Sequence, residues 1–190
     1  LPLPLPLSLS HKSNAGAHAL WSVNGGISWE AGSPTASGVT ENQIAPLSNG
    51  SLLMNARTGS TDRLSLLSTD EGRSWAEPRV VRELSGNASC EGSLIAYRPN
   101  KPDAASGSAS AALFFSHPAA ATRERLTIRR SRDDGDSWPA GAADVLLIHE
   151  GGSAYSCLGS TSKGELAVLW EADGKDLAFA ATDYFSTPPS

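Results

Sequence analysis

"STDEGRSW", residues 68–75, is the stretch whose reading decides the fold. Taken alone it is an acidic turn between two apolar runs. Nearly the same string returns as "SRDDGDSW" at 131–138, and a looser copy, "SVNGGISW", occupies 22–29. All three fit Ser-x-Asp/Asn-x-Gly-x-Ser-Trp. A repeat that keeps its turn residues and its tryptophan while its surroundings change has a structural job. Asp70 and Asp133 can accept hydrogen bonds from backbone N–H groups two residues on, and Asn24 can fold back in the same way. Gly72 and Gly135 permit positive φ, Trp75 and Trp138 can pack over the turn, and Trp29 holds the same place in the first copy. A calcium-loop reading fails, because the alternating acidic ligands, the glutamate at position twelve and the flanking helices are all missing. The copies start 46 and 63 residues apart. That is roughly one four-stranded propeller blade of about 40–50 residues, with an insertion in the longer interval.

Between the octamers, helical periodicity is nearly absent. Short apolar runs such as "SLLMNAR", "RLSLLS", "RVVREL", "GSLIAYR", "RLTIRRS", "DVLLIHE", "ELAVLWE" and "DLAFAAT" are closely punctuated by Gly, Pro, Asn, Asp and Ser. Each suits a strand of about four to eight residues, which predicts an all-β fold. "SNG" at 48–50 and "SKG" at 162–164 read as hairpin turns. "KPDAASGSASA", 101–111, reads as a mobile small-residue loop. The opening "LPLPLPLSLS" alternates Leu and Pro, which excludes a helix and a central strand, and it lacks the basic start of a signal peptide. Residues 1–18 are therefore expected to lie outside the fold as a low-complexity segment, with 19–190 as the folded domain.

The bulk numbers exclude several functions. With 190 residues and a net charge of −5, the chain has no basic stripe for nucleic acid and no apolar run of membrane-spanning length. Cys90 and Cys157 form no metal-ligand spacing and read as two thiols. No metal site or cofactor motif is present. His117 and His149 invite catalysis by residue type, but no partner motif accompanies either, and both read as surface histidines.

The octamers resemble the Asp-box repeats of sialidases (neuraminidases), which several unrelated propellers share. The segments between them are more specific. "ENQIAPLSNGSLLMNAR", 41–57, resembles the sialidase segment in which a glutamate and a glutamine open one strand and "NAR" closes the next. "SHPAAATRERLTIRRSRDDGDSW", 116–138, is similar to the family's "SNPA…R-x-x-L-T-x-R-x-S-x-D-x-G-x-x-W". "SAYSCLGSTSKGELAVLWE", 153–171, resembles its "YS-x-L…G-x-x-x-x-L-Y-E" ending. The agreement runs in order from about residue 20 to 180. It implies a sialidase-type β-propeller of six blades when complete, with about three to four present here by blade length.

The same resemblance implies a site. Sialic acid carries a carboxylate on the carbon that is attacked, and arginine reads a carboxylate with two parallel charge-assisted hydrogen bonds. Arg57 matches the second of the family's three arginines. Arg123 matches the third through the R-x-x-L spacing, with Arg125, Arg129 and Arg130 as competitors. Tyr155 matches the nucleophile, the tyrosine exception among glycosidases. A phenol with a pKa of about 10 needs a base nearby, and Glu41 matches that partner. Glu171 matches a glutamate that orients the first arginine. Asn42, Pro46 and Trp170 depart from the family pattern, and Pro46 removes a ladder donor that would shorten its strand or move it to an edge.

The family's first arginine, in an "RIP"-like motif, and its acid/base aspartate have no counterpart in this sequence. The expectation is a retaining exo-α-sialidase lacking its N-terminal portion. The partner for this chain is then the missing N-terminal half of the domain, and the substrates are sialylated glycans of glycoproteins, gangliosides and oligosaccharides. General acid–base help is worth about 10²–10⁴ in rate, so the chain alone is expected to be nearly inactive. Two other functions fit the same residues: trans-sialidase, with an acceptor sugar in place of water, and a lectin-like propeller that binds sialic acid without cleaving it.

Overall fold

The computed structural model describes residues 5–10, 16–98 and 111–186. Among these, thirteen strands and three short 3-10 turns carry the structure. Strands β1 (Leu5–Ser10), β2 (Ala17–Ser22) and β3 (Glu30–Ala31) form one sheet. A second contains β4 (Asn42–Pro46), β5 (Leu52–Arg57), β6 (Arg63–Ser68) and β7 (Arg79–Val80). The third runs from β8 (Ser93–Tyr97) through β9 (Ala112–Pro118), β10 (Glu124–Ser131), β11 (Val145–Ser160) and β12 (Leu166–Ala172) to β13 (Asp176–Thr182). Every pairing is antiparallel and joins strands adjacent in sequence, so each sheet is a meander. The all-β class expected from the runs is what the chain adopts. No helix among the described residues is long and apolar enough to cross a membrane.

β11 gives the third sheet its length. Residues 145–152 pair with β10, and from Ser153 onward the strand pairs with β12. One 16-residue strand thus closes one meander and opens the next. The octamers fall at equivalent places: 22–29 between β2 and β3, 68–75 between β6 and β7, and 131–138 between β10 and β11.

The chain divides into two compact units, Leu1–Ser85 and Gly86–Ser190. In the first, Met54, Ala56 and Leu66 of β5 and β6 pack against Ala17 and Val39. β5 is buried at five of its six positions, which explains why it reads as a continuous apolar run. In the second, Phe114, Leu126, Ile128 and Val168 form the centre, and Phe114 meets the edges of Tyr97 and Phe185 at 5.7 and 5.0 Å. Each fully buried large apolar side chain contributes about 1.5–3 kcal/mol.

All three octamers use one hydrogen-bond pattern, and it differs in detail from the expected one. The backbone donor to Asp70 Oδ1 is Ser74 N–H at 2.9 Å, four residues on, and the Ser74 hydroxyl donates to Oδ2 at 2.5 Å. Asp133 receives Ser137 N–H at 3.0 Å and the Ser137 hydroxyl at 2.6 Å. The first serine of each copy, Ser22, Ser68 or Ser131, accepts the glycine N–H at 2.8–2.9 Å and donates to the Asp or Asn. Two consecutive residues hold positive φ in every copy: Gly25 and Gly26 (71° and 87°), Glu71 and Gly72 (63° and 88°), Asp134 and Gly135 (57° and 88°). In the second and third copies the turn is closed by an i to i+3 bond, Arg73 N–H to Asp70 O and Asp136 N–H to Asp133 O. This is the mirror-image turn that suits the twist of a hairpin. The indoles fold over the glycines: a Cβ on Gly26 would lie 3.5 Å from Trp29, and one on Gly72 3.8 Å from Trp75.

Other expectations meet the structure at definite points. The "SNG" and "SKG" hairpin turns are present, each with its glycine at positive φ. Pro46 closes β4, which lies at the edge of its sheet. "RVVREL" yields only the two-residue β7 before a 3-10 turn at Arg82–Leu84. The Leu/Pro segment expected to stand apart carries β1, paired with β2 from Leu5↔Ser22 to Ser10↔Ala17. Its place at a sheet edge accommodates proline, which has no N–H to give a ladder. β2 begins at Ala17, ahead of the boundary drawn after residue 18. The expected mobile loop at 101–111 lies outside the described residues except for its last position. His117 is a correction: it is buried, stacked against Phe115 with ring centroids 5.2 Å apart, because it occupies an inward position of β9.

Candidate functional site

In the first unit, Glu41 and Arg57 stand at one end of the β4–β5 hairpin. The register Asn42↔Ala56 puts Glu41 opposite Arg57, whose N–H donates to the Glu41 carbonyl at 2.8 Å. Their side chains meet as well. Arg57 Nη1 donates to Glu41 Oε2 at 2.5 Å, with both groups only partly exposed. The Thr40 hydroxyl and N–H both donate to the Arg57 carbonyl, at 3.1 and 2.9 Å. The hairpin end therefore holds the guanidinium in place with its charge balanced. A planar group fixed in this way is prepared to receive a second carboxylate at little further entropic cost.

In the second unit, Tyr155 lies where β11 changes partner. Ser153 pairs with Ala172 and Ser156 with Trp170, so Ala154 and Tyr155 together oppose the single residue Glu171. This is a β-bulge, a device that re-aims side chains next to functional sites. Tyr155 is 38% exposed on the sheet surface. The Arg123 guanidinium sits over its ring at 5.6 Å, within cation–π range. Arg123 lies in the turn between β9 and β10, and its carbonyl accepts the Ser153 N–H at 2.8 Å, tying that turn to the bulge. Arg123, Ala154, Glu171, Lys175 and Leu177 line an open cleft of 490 Å³. A smaller hollow is lined by Tyr155, Cys157, Leu169, Trp170 and Leu177, with Glu171 shared between the two. The cleft mixes cations (Arg123, Lys175), anions (Glu171, Asp176) and an apolar wall (Leu177), so it offers both donors and acceptors to a polar ligand.

The competing arginines go elsewhere. Arg125 pairs with Glu150 on the surface. Arg130 is buried, bonding Asp144 Oδ1 at 2.8 Å and the carbonyls of Phe185 and Ala143. Arg129 is a half-buried position of β10 and lines neither hollow. The octamer residues Asn24, Asp70, Asp133, Trp29, Trp75 and Trp138 stay in their turns and line neither hollow. Hydrogen bonding from the Ser74 hydroxyl and N–H lowers Asp70 to about 2. At Asp133 burial pushes the carboxyl up, but the hydroxyl and N–H of Ser137 outweigh it and the net movement is downward. Lys175, Asp176 and Leu177 were not singled out in the sequence. They come from the β12–β13 hairpin, and nothing in "GKDLAF" distinguishes a cleft wall from an ordinary turn.

The BNR repeat-like domain family matches residues 2–168 of the chain. The chain is 33% identical over 159 residues to a sialidase of Micromonospora viridifaciens, covering 82% of this chain and 23% of that protein. Among solved structures, a Hadza microbial sialidase superposes with a TM-score of 0.72 at 29% identity, over 88% of this chain and 32% of the other. A leech intramolecular trans-sialidase, solved with 2,7-anhydro-Neu5Ac, gives 0.73 at 25% identity, over 94% and 29%. The chain thus spans 23–32% of the length of these three proteins. Its meanders, with octamers at equivalent turns, are blades of a sialidase-type β-propeller, and the chain belongs to the BNR-repeat family, among the sialidases.

Proposed function

We propose that this chain supplies part of the catalytic propeller of a retaining exo-α-sialidase. The observation that carries this is the grouping of Arg123, Tyr155 and Glu171: Arg123 and Glu171 line the open cleft, Glu171 also lines the hollow beside it that holds Tyr155, and the Arg123 guanidinium lies over the Tyr155 ring on its bulge. Arg123 grips the substrate carboxylate, and the family resemblance gives Arg57 a place in the same clamp. Tyr155 Oη attacks the anomeric carbon, its phenol proton passes to a carboxylate base, the role the family resemblance gives Glu41, and the glycosidic C–O bond breaks. Water then releases sialic acid from the tyrosyl intermediate with the anomeric configuration retained. Tyrosine suits this step because a carboxylate nucleophile would be repelled by the substrate's own anion. Glu171 is the supporting carboxylate for the first arginine of the clamp. That arginine and the aspartate that protonates the leaving oxygen match no motif in residues 1–190, so the whole protein must supply them. The substrates are terminal α-sialosides of glycoproteins, gangliosides and oligosaccharides.

Transfer in place of hydrolysis is a second reading, favoured by the similarity to an intramolecular trans-sialidase. It differs only in what attacks the intermediate. Release of the fluorophore from a fluorogenic α-sialoside by the whole protein tests the shared chemistry. Glu41→Gln is expected to lower kcat by about 10²–10⁴, with Tyr155→Phe at least as damaging. A whole protein that binds sialic acid but never cleaves the bond overturns the enzymatic reading and leaves the lectin-like one.

A further inference from the structure

The Gly151–Gly152 step of β11 lies directly beside the β12–β13 turn, and one side chain fastens the two. Asp173 and Gly174 hold consecutive positive φ values of 49° and 71°, and Lys175 N–H closes the turn on the Ala172 carbonyl at 3.1 Å. Asp173 then meets Gly152 twice. Its backbone N–H donates to the Gly152 carbonyl at 2.8 Å, and its Oδ1 accepts the Gly152 N–H at 2.8 Å. Two glycines make room for this approach. A Cβ on Gly152 would lie 3.0 Å from Asp173 Cα, and one on Gly151 would lie 2.8 Å from Asp173 Oδ1. His149 flanks the carboxylate, with Nε2 at 3.4 Å from Oδ2.

What the clasp joins gives it meaning. Gly152 pairs with Glu124 at the foot of the Arg123 turn, and Ser153, the next residue, donates to the Arg123 carbonyl. Tyr155 follows on the bulge two residues later. On the other side, the fastened turn carries Lys175, Asp176 and Leu177 into the cleft wall. The Asp173 side chain is itself 60% exposed and belongs to neither core. Its removal therefore takes little from packing.

We propose that Asp173 is a positioning residue for the cleft. Its carboxylate holds the β12–β13 turn against Gly152 and so sets Lys175 and Leu177 at a fixed distance from Arg123 and Tyr155. This deepens the sialidase reading and rests on it for the kinetic part alone. The clasp itself is a statement about this chain whatever its substrate.

Three substitutions separate the carboxylate from the turn. Asp173→Asn keeps an acceptor for Gly152 and tolerates positive φ; Asp173→Gly keeps the turn but loses the acceptor; Asp173→Ala loses both. Amide hydrogen exchange is read on the full chain, and kinetics with an α-sialoside on the whole protein. In Asp173→Gly, Gly152 N–H is expected to exchange about tenfold faster or more, with the melting temperature nearly unchanged. A small displacement of the wall is then expected to cost about tenfold to hundredfold in kcat/KM, chiefly through KM. Asp173→Asn is expected to restore both to within about threefold of the parent. Unaltered Gly152 exchange in Asp173→Gly overturns the clasp, even in a preparation that cleaves nothing. Faster exchange with unaltered KM and kcat in a protein that does cleave sialosides overturns the positioning role. A whole protein that cleaves no sialoside counts against the sialidase reading, and Gly152 exchange then decides the clasp by itself.

Discussion

At the third position of the octamer, Asp70 and Asp133 take a serine hydroxyl proton through Oδ2, whereas Asn24 gives a proton through Nδ2 to Ser28 at 2.8 Å. The Oδ1 contacts are common to all three. Asn is thus a sound substitute, because the serine hydroxyl can reverse its role. Asp70→Asn is expected to change stability by less than about 0.5 kcal/mol, and Asp70→Ala to cost about 0.5–1.5 kcal/mol, because it removes the acceptor of the turn while water still reaches the exposed Ser74 donors; urea unfolding measures both. Charge adds a pH signature. Asp70 is lowered from 3.8 to about 2, so its stabilisation is complete above the unfolded value and is lost as pH falls through the folded one. The melting temperature should decline from about pH 4 toward pH 2, with a shallower decline in Asp70→Asn. At the hairpin end, Arg57→Lys would keep the charge but not the fork, and is expected to raise KM for an α-sialoside about tenfold.

At the scale of the element, equivalent turns are not equally anchored. Trp138 is 1% exposed and packs edge-on against Phe115 at 6.1 Å, while Trp29 is 40% exposed and donates to Gly26 O at 3.0 Å. Trp138→Ala is expected to cost about 3–5 kcal/mol of a cavity, and Trp29→Ala less than about 1 kcal/mol; thermal unfolding of the two variants separates them. Most strands were legible because the apolar runs are short and their turns carry Gly at positive φ. β11 was not. "DVLLIHE" ends in the sequence where Gly151 and Gly152 begin, yet the strand continues through Tyr155 to Ser160, because the two glycines permit a change of partner rather than a turn. β1 was hidden for the opposite reason. Proline argues against a strand only where both flanks must be paired, and an edge requires only one.

For the whole molecule, the three family-like segments contain Glu41, Arg57, Arg123, Tyr155 and Glu171, which lie ahead of β4, at the end of β5, in the β9–β10 turn, on the bulge and opposite it. The cleft wall from β12–β13 was not legible, because wall residues are set by which turn folds against β11 rather than by residue type. One surface has a consequence for handling. Leu177 and Phe179 are 72% and 63% exposed on β13, the last strand of the third sheet among the described residues. An apolar edge strand invites pairing. The 190-residue chain should self-associate at high concentration, and Leu177→Lys with Phe179→Lys should shift its sedimentation toward monomer. The most direct test of the sialidase reading is to quench the whole protein during turnover of an α-sialoside and look for its covalent intermediate by peptide mass spectrometry. A sialyl adduct on Tyr155, absent in Tyr155→Phe, is the expected result. Continued turnover with no adduct on Tyr155, or an adduct on a carboxylate, would contradict it.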